Sequence, residues 1–302
     1  MNKLQVYNDL KDNYEIYLDE SMKKHTSFKT GGNADILVKP KNIDEIISLI
    51  KYFKENNIEY LVIGNGTNLL VKDGGVRKAI IKIGKSFGNY EVNGEYITAS
   101  SGCPIIALSK LATQNGLSGL EFACGIPGTL GGAIKMNAGC FKGQMSDIVY
   151  STKYLDEKGN ICEINNEEHE FDYRSSIFHK NDKLVILEST LKLTKGNIDE
   201  IKEKVEYNNN FRREKQPINF PSAGSSFKRP EGHFPGKLIE DCGLKGYTIG
   251  GAQISTLHAN FIVNIGGATS KDVLDLCKYV QEKVFEEFNV KLEMEIEVVG
   301  ED

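Results

Sequence analysis

The 302-residue sequence predicts an α+β protein of two domains, on three observations. Helical and strand periodicities alternate along the first two-thirds of the chain. A loop rich in proline, glycine and serine, "QPINFPSAGSSFKRP" (216–230), then breaks the pattern, and a long helix followed by an alternating strand completes it. At 40% hydrophobic composition the chain can bury one large core or two moderate ones.

Asn42 and Glu45 form a capping-box pattern that opens a helix with Ile46, Ile47, Ile50 and Phe53 on its apolar stripe. "YLVIG" follows as a strand, and "KAIIKIG" and "EYITASSG" read as two more. Pro104 stands at the start of the helix "IIALSKLATQN", which Gly116 ends. Asn197 caps the polar helix "IDEIKEKVEYNNNFRREK", and the domain boundary is placed near the loop that ends it, giving domains 1–205 and 206–302 with the first divisible near residue 85. In the second domain Val273, Cys277, Val280 and Val284 form one helix stripe. Strict alternation in "VKLEMEIEVV" then predicts a strand with Glu293, Glu295 and Glu297 on one face, opposite Leu292, Met294 and Ile296.

Composition excludes several classes. A formal net charge of −5 gives no general attraction to nucleic acid or to an anionic membrane. Six cysteines without a CxxC pair point to neither a zinc cluster nor a disulfide framework, so reduced thiols in a cytoplasm are the simpler reading. The first twenty residues lack an apolar signal core, and no run reaches the ~18 apolar residues of a membrane span.

Glycine then becomes informative. "GIPGTLGGAIKMNAG" (125–139) holds five glycines in fifteen residues, and "KTGGNAD", "VIGNGTN" and "KDGGVR" are further glycine loops. In "VIGNGTNLLV" Leu69 stands where a third dinucleotide-fingerprint glycine would be, and no phosphate-loop lysine motif occurs. Each loop alone reads as a turn; together they also suit main-chain N–H groups converging on an anion such as a pyrophosphate.

Seven blocks in order carry a resemblance to a known family: "HTSFKTGGNAD", "VIGNGTNLLVKDGG", "GIPGTLGGAIKMNAG", "YRSSIF", "SAGSSFKRP", "GKLIEDCGLKGYTIGGAQISTLHANFIVN" and "LEMEIEVVG". The chain resembles the UDP-N-acetylenolpyruvoylglucosamine reductases nearly end to end. The resemblance implies an FAD-binding domain of the vanillyl-alcohol-oxidase (PCMH) type in two α+β subdomains, followed by an α+β substrate-binding domain. It implies reduction of UDP-N-acetylglucosamine enolpyruvate to UDP-N-acetylmuramate for peptidoglycan, with NADPH as hydride donor and FAD held non-covalently. The short link between "YRSSIF" and "LVILESTLKL" matches the family's shorter type, which lacks an extra tyrosine loop.

By the same resemblance, Gly64, Asn65, Gly66, Thr67, Asn68 and Leu69, with Gly125, Ile126, Pro127, Gly128, Thr129, Gly131, Gly132 and Ala133, surround FAD. The reaction builds enolate charge and then needs a proton, so it calls for a fixed cation, an acid and a supporting carboxyl. The resemblance assigns these to Arg174, Ser225 and Glu295, with Ser225 preferred over the adjacent Ser226 because it directly follows the Ala-Gly pair. Lys215 and Arg229 match phosphate- and uracil-side positions, although some members carry asparagine in place of Arg229. His258 and Asn260 read as structural or as supports behind the site residues, and no metal is expected. Two other readings stay open: a different flavin oxidoreductase on the same scaffold, and a catalytically silent UDP-sugar-binding regulator.

Overall fold

The computed structural model describes residues 2–302, and the chain forms two compact units. The first comprises the residues up to Leu18, Ile36–Asn65 and Lys78–Asn210; the second comprises Asp19–Asp35, Gly66–Arg77 and Phe211–Asp302. Two early glycine-rich segments therefore group with the C-terminal residues, a discontinuity that a single boundary at 205/206 does not express.

A four-stranded sheet, most of whose residues belong to the first unit, takes the order Glu15–Ser21, Asn33–Lys39, Val76–Lys82, Tyr60–Ile63. Tyr60–Ile63 pairs in parallel with Val76–Lys82, Tyr60 opposite Ala79 and Ile63 opposite Lys82. The connection before this strand is the helix Ile43–Glu55, begun where Asn42 Oδ1 accepts the Glu45 N–H at 2.8 Å and Glu45 Oε2 accepts the Lys41 N–H at 2.8 Å. Its buried stripe is Ile46, Leu49, Ile50 and Phe53. Leu49 takes the core place expected of Ile47, which lies half-buried at the margin, because a period of 3.6 puts 49 between 46 and 53 on the same side.

A five-stranded antiparallel sheet follows, ordered Ile161–Asn165, Val149–Leu155, Val185–Lys192, Tyr96–Ser100, Tyr90–Asn93. Its core gathers Ile97, Ala99, Leu108, Leu130, Ile134 and Leu191. The helix Leu130–Lys135 has only six residues, too few to be stable alone. Burial of Leu130 and Ile134, worth about 1.5–3 kcal/mol each, fixes it against the sheet. Leu155, Val185 and Leu187 of this second sheet enter the core of the first, so the two layers share apolar contacts.

The second unit carries a three-stranded antiparallel sheet, Thr248–Ile249, Ala252–Ile254, Ile262–Asn264. Against it lies the helix Ser270–Phe288, which starts with a Thr269/Asp272 capping box and buries Val273, Leu276, Cys277, Val280 and Val284. The Asp73 carboxylate accepts the N–H groups of Ser270 and Lys271 at 3.0 and 3.2 Å, tying the 66–77 segment to the helix start.

The C-terminal stretch departs from the single strand its alternation predicts. Only Glu297–Val299 is a strand, paired in parallel with Leu69–Val71, and Met294 forms one isolated bridge with Phe227. The segment changes partner midway: Glu293 accepts from the Lys228 N–H, Glu295 donates to the Ser226 carbonyl, and Glu297 donates to the Asn68 carbonyl. Among the described residues no helix is long and apolar enough to cross a membrane.

Candidate active site

In the first unit the glycine-rich segment 125–139 wraps the start of the helix Leu130–Lys135. Thr129 Oγ1 caps that helix by accepting the Gly132 N–H at 3.3 Å. The loop at 64–65 is fitted onto this cap. A Cβ on Gly64 would lie 2.4 Å from Thr129 Oγ1, and Asn65 Nδ2 donates to the Pro127 carbonyl at 3.0 Å. Two segments sixty residues apart thus form one loop cluster, and Gly64, Asn65, Pro127 and Thr129 of the expected cofactor set meet within it.

Neighbouring glycines in the cluster differ in what they require. Gly131 is buried; its N–H donates to the Ser101 carbonyl at 2.9 Å, and an added Cβ would sit 2.9 Å from Ser101 Cβ. Its lack of a side chain is explained by packing inside the protein. Gly132 is exposed, and a Cβ there would meet only Thr129 Oγ1, at 3.4 Å, an ordinary contact. Nothing within the chain demands glycine at 132. An open, side-chain-free position beside main-chain N–H groups suits a phosphorylated cofactor approaching from outside, so the residues present fit FAD. Behind the same turn Ser101 Oγ is buried with no hydrogen-bond partner among the described residues.

Arg174 lies at the tip of a tight hairpin closed by reciprocal Asp172–Ser175 main-chain hydrogen bonds of 3.1 Å. Its φ of +53° is left-handed backbone that costs a residue with a Cβ roughly 1–2 kcal/mol. The half-buried guanidinium donates to the Gly139 carbonyl at 3.2 Å and stands 4.9 Å from the Tyr173 ring centroid. Arg174 therefore reaches the end of the glycine segment. At the hairpin's base His169 is fully buried, stacked on Phe171 at 4.7 Å. A carbonyl can only accept, so His169 Nδ1 donates to the Asn165 carbonyl at 2.7 Å, and Nε2 accepts from Thr152 Oγ1 at 2.8 Å. Burial pushes its pKa below 6.5, against weaker opposing hydrogen bonds from Asn165 and Asn166.

In the second unit, Ser225, Ser226 and Glu295 come together. Ser226 is completely buried, and its hydroxyl accepts the Ile262 N–H at 3.0 Å. Ser225 is partly exposed, follows Gly224 at φ +80°, and its hydroxyl makes no hydrogen bond among the described residues. The Glu295 N–H donates to the Ser226 carbonyl at 2.9 Å, and its own carbonyl accepts from Asn68 Nδ2 at 2.9 Å. Asn68 is thus bonded to the Glu295 main chain. Gly66, at φ +63°, is required by the chain itself, since a Cβ would lie 2.2 Å from the His25 carbonyl oxygen. Thr67 and Leu69 flank Asn68, and Leu69 opens the strand that pairs with Glu297.

The three glutamates of the C-terminal stretch differ in setting. Glu293 pairs with Lys228 at 2.7 Å with its side chain 74% exposed, whereas Glu295 and Glu297 are half-buried. Lys215 is exposed at the last position of the helix Ile198–Lys215. Arg229 is exposed over the Phe234 ring at 4.0 Å, so these two cations lie on the surface of the second unit. His258 Nδ1 accepts the Asn260 N–H at 3.2 Å, and burial depresses the His258 pKa. Sequence reasoning missed the buried His169, packed between Phe171 and Phe178 just before the Arg174 hairpin. Its available signal was a lone histidine inside the polar stretch "NNEEHEFDYR".

Residues 216–299 match the UDP-N-acetylenolpyruvoylglucosamine reductase C-terminal domain, and residues 34–165 match an FAD binding domain. A UDP-N-acetylenolpyruvoylglucosamine reductase of Clostridium botulinum strain Hall is 47% identical over 301 residues, covering 100% of this chain and 98% of the relative. That of Clostridioides difficile strain 630 is 48% identical over 305 residues, covering both chains fully. A solved structure of the corresponding Thermus caldophilus reductase superimposes with a TM-score of 0.81 at 36% identity, over 95% of this chain and 98% of that one.

Proposed function

The chain belongs to the UDP-N-acetylenolpyruvoylglucosamine reductase family, and from that premise we propose how its residues divide the work. The reaction is NADPH-dependent, FAD-mediated reduction of UDP-N-acetylglucosamine enolpyruvate to UDP-N-acetylmuramate, a step of peptidoglycan precursor synthesis. FAD, when bound, supplies reversible hydride transfer. The cluster of Gly64, Asn65 and 125–133 holds it, and the bare surface at Gly132 supports that role. Residues 1–205 serve as the FAD-binding part and 206–302 as the substrate-binding part. The two family matches fall one within each.

Each remaining role follows from the charge the reaction builds. Saturating an enol ether conjugated to a carboxylate places negative charge on the carboxylate and the adjacent carbon. A fixed guanidinium held at Gly139 is suited to stabilise it, and Arg174 takes that part. The enolate carbon then needs a proton. Ser225 donates it, because its hydroxyl is unengaged while that of Ser226 is consumed by Ile262. Glu295, joined to Ser226 through its main chain, supports the serine and restores its proton. Lys215 and Arg229, both exposed cations, engage the nucleotide end of the substrate. The setting is cytoplasmic, with no nucleic-acid partner, in keeping with the net charge of −5.

The observation that carries this reading is the family match over 216–299, which contains both Ser225 and Glu295. The test is anaerobic: NADPH should bleach the visible flavin absorbance of the purified protein, and UDP-N-acetylglucosamine enolpyruvate should restore it. Failure of NADPH to bleach, or of the enolpyruvyl substrate to restore the absorbance, would remove the assignment.

A further inference from the structure

Residues 225–227 are held from two sides. On one side the segment Glu293–Glu295 pairs with them through the Ser226 carbonyl and the Lys228 N–H. On the other there is no continuous strand. Instead the side chain of Asn260 takes the place of a peptide group: Oδ1 accepts the Phe227 N–H at 3.1 Å, and Nδ2 donates to the Phe227 carbonyl at 3.0 Å. The Asn260 main-chain carbonyl accepts the Ser226 N–H at 2.7 Å, and the Ile262 N–H reaches Ser226 Oγ at 3.0 Å.

A carboxamide can satisfy both main-chain polar groups of one residue because it offers an acceptor and a donor in one plane. Asn260 is 6% exposed and Phe227 1% exposed, so no water is available to replace either bond. Both Ser225 and Glu295 hang on the segment so fixed: Ser225 adjoins Ser226, and the Glu295 N–H is bonded to it.

We propose that Asn260 is a positioning residue for proton delivery, its carboxamide setting the place of the Ser225 hydroxyl relative to Glu295. The inference rests on the assignment of Ser225 as proton donor. Asn260 touches no reacting atom; it acts through the backbone of 226–227. Removal of its side chain leaves the Phe227 amide without its partners and lets the Ser225 loop drift, and a displacement near 1 Å costs on the order of 100-fold in rate.

The test uses the FAD-loaded protein and follows its two half-reactions separately by stopped flow, in wild type, Asn260→Ala, Ser225→Ala and the double variant. Asn260→Ala should slow reduction of the enolpyruvyl substrate ~10- to 100-fold, leave the NADPH half-reaction within about twofold, and speed amide exchange at Phe227. In the Ser225→Ala background it should add almost nothing. Asn260→Asp supplies a second readout. Its ionised carboxylate would oppose the Phe227 carbonyl, whereas the protonated form would donate to it, so the substrate half-reaction should recover at acid pH relative to wild type. A full additional loss in the Ser225→Ala background, equal slowing of both half-reactions, or no loss in Asn260→Ala would overturn the positioning role. A Ser225→Ala protein of normal rate would instead remove the proton-donor assignment, and the inference with it.

Discussion

The hydroxyl of Ser226 accepts the main-chain N–H of Ile262 at 3.0 Å, inside a fully buried site. The two adjacent serines therefore have separable consequences. Ser226→Ala leaves a buried N–H without a partner and should cost about 1–3 kcal/mol of stability. Ser225→Ala should change stability within about ±0.5 kcal/mol and slow the substrate half-reaction ~10²–10⁴-fold. Denaturation curves and half-reaction kinetics on both variants separate these effects; the reverse pattern would exchange the roles.

Arg174→Gly should split stability from activity in another way. Glycine relieves the left-handed strain at φ +53° and gives up the contacts to Gly139 and Tyr173, so the net stability change should stay within about 1 kcal/mol. Loss of the guanidinium should lower kcat ~10²–10³-fold. Chemical denaturation and steady-state assay of the same preparation decide it. A normal kcat would return the arginine to a structural role.

For Gly132→Ala the flavin-free protein should be unchanged or up to about 1 kcal/mol more stable, since alanine suits a helix and meets only Thr129 Oγ1 at 3.4 Å. FAD retention should fall, because the methyl group fills the open surface. Gly131→Ala should weaken both fold and retention, through its 2.9 Å approach to Ser101 Cβ. Flavin absorbance after desalting and melting of the flavin-free protein give the comparison. Denaturation of wild type should release the flavin to the supernatant; flavin remaining on the precipitated chain would mark a covalent link.

Among Glu293→Gln, Glu295→Gln and Glu297→Gln, only the second should collapse the substrate half-reaction. Glu293→Gln breaks an exposed pair with Lys228, worth at most about 1 kcal/mol. Comparable kinetic losses at all three positions would take Glu295 out of the mechanism.

Acidification should destabilise the fold through His169. Burial holds its folded pKa below 6.5, so the unfolded chain takes up a proton the folded chain resists. Its contribution is whole above about pH 6.5 and is lost as the pH falls through the lower folded value. His258, also depressed chiefly by burial, works in the same direction. Melting temperature at about pH 7.5 and 5.5 should drop less in His169→Gln than in wild type.

What the sequence makes legible is the local chemistry of single elements. Asn42 with Glu45 and Asn197 before its polar helix announce helix starts that the structure has, because a cap is a short-range hydrogen bond between near neighbours. The carboxamide of Asn260 on the Phe227 peptide leaves no periodic trace, being a contact across 33 residues. Alternation in 290–299 reads as one strand because burial alternates; the change of partner from Ser226 to Asn68 does not alter that pattern. In sequence the preference for Ser225 over Ser226 rests only on its place after the Ala-Gly pair; that the Ser226 hydroxyl is spent on a buried N–H is visible only in the structure.

The partner exchange along 293–299 also governs when the second unit can fold. Asn68 Nδ2 and the Glu295 carbonyl are 227 residues apart, so Leu69–Val71 waits for its parallel partner until nearly the whole chain has been synthesised. Closing so long a loop makes this pairing a late event, and the exposed edge of 69–71 is open to wrong partners meanwhile. During translation the 225–227 segment remains without its Glu295 hydrogen bond, and Leu69–Val71 without its neighbouring strand, until residue 299 is available. The residues of the first unit, by contrast, all lie at or before Asn210.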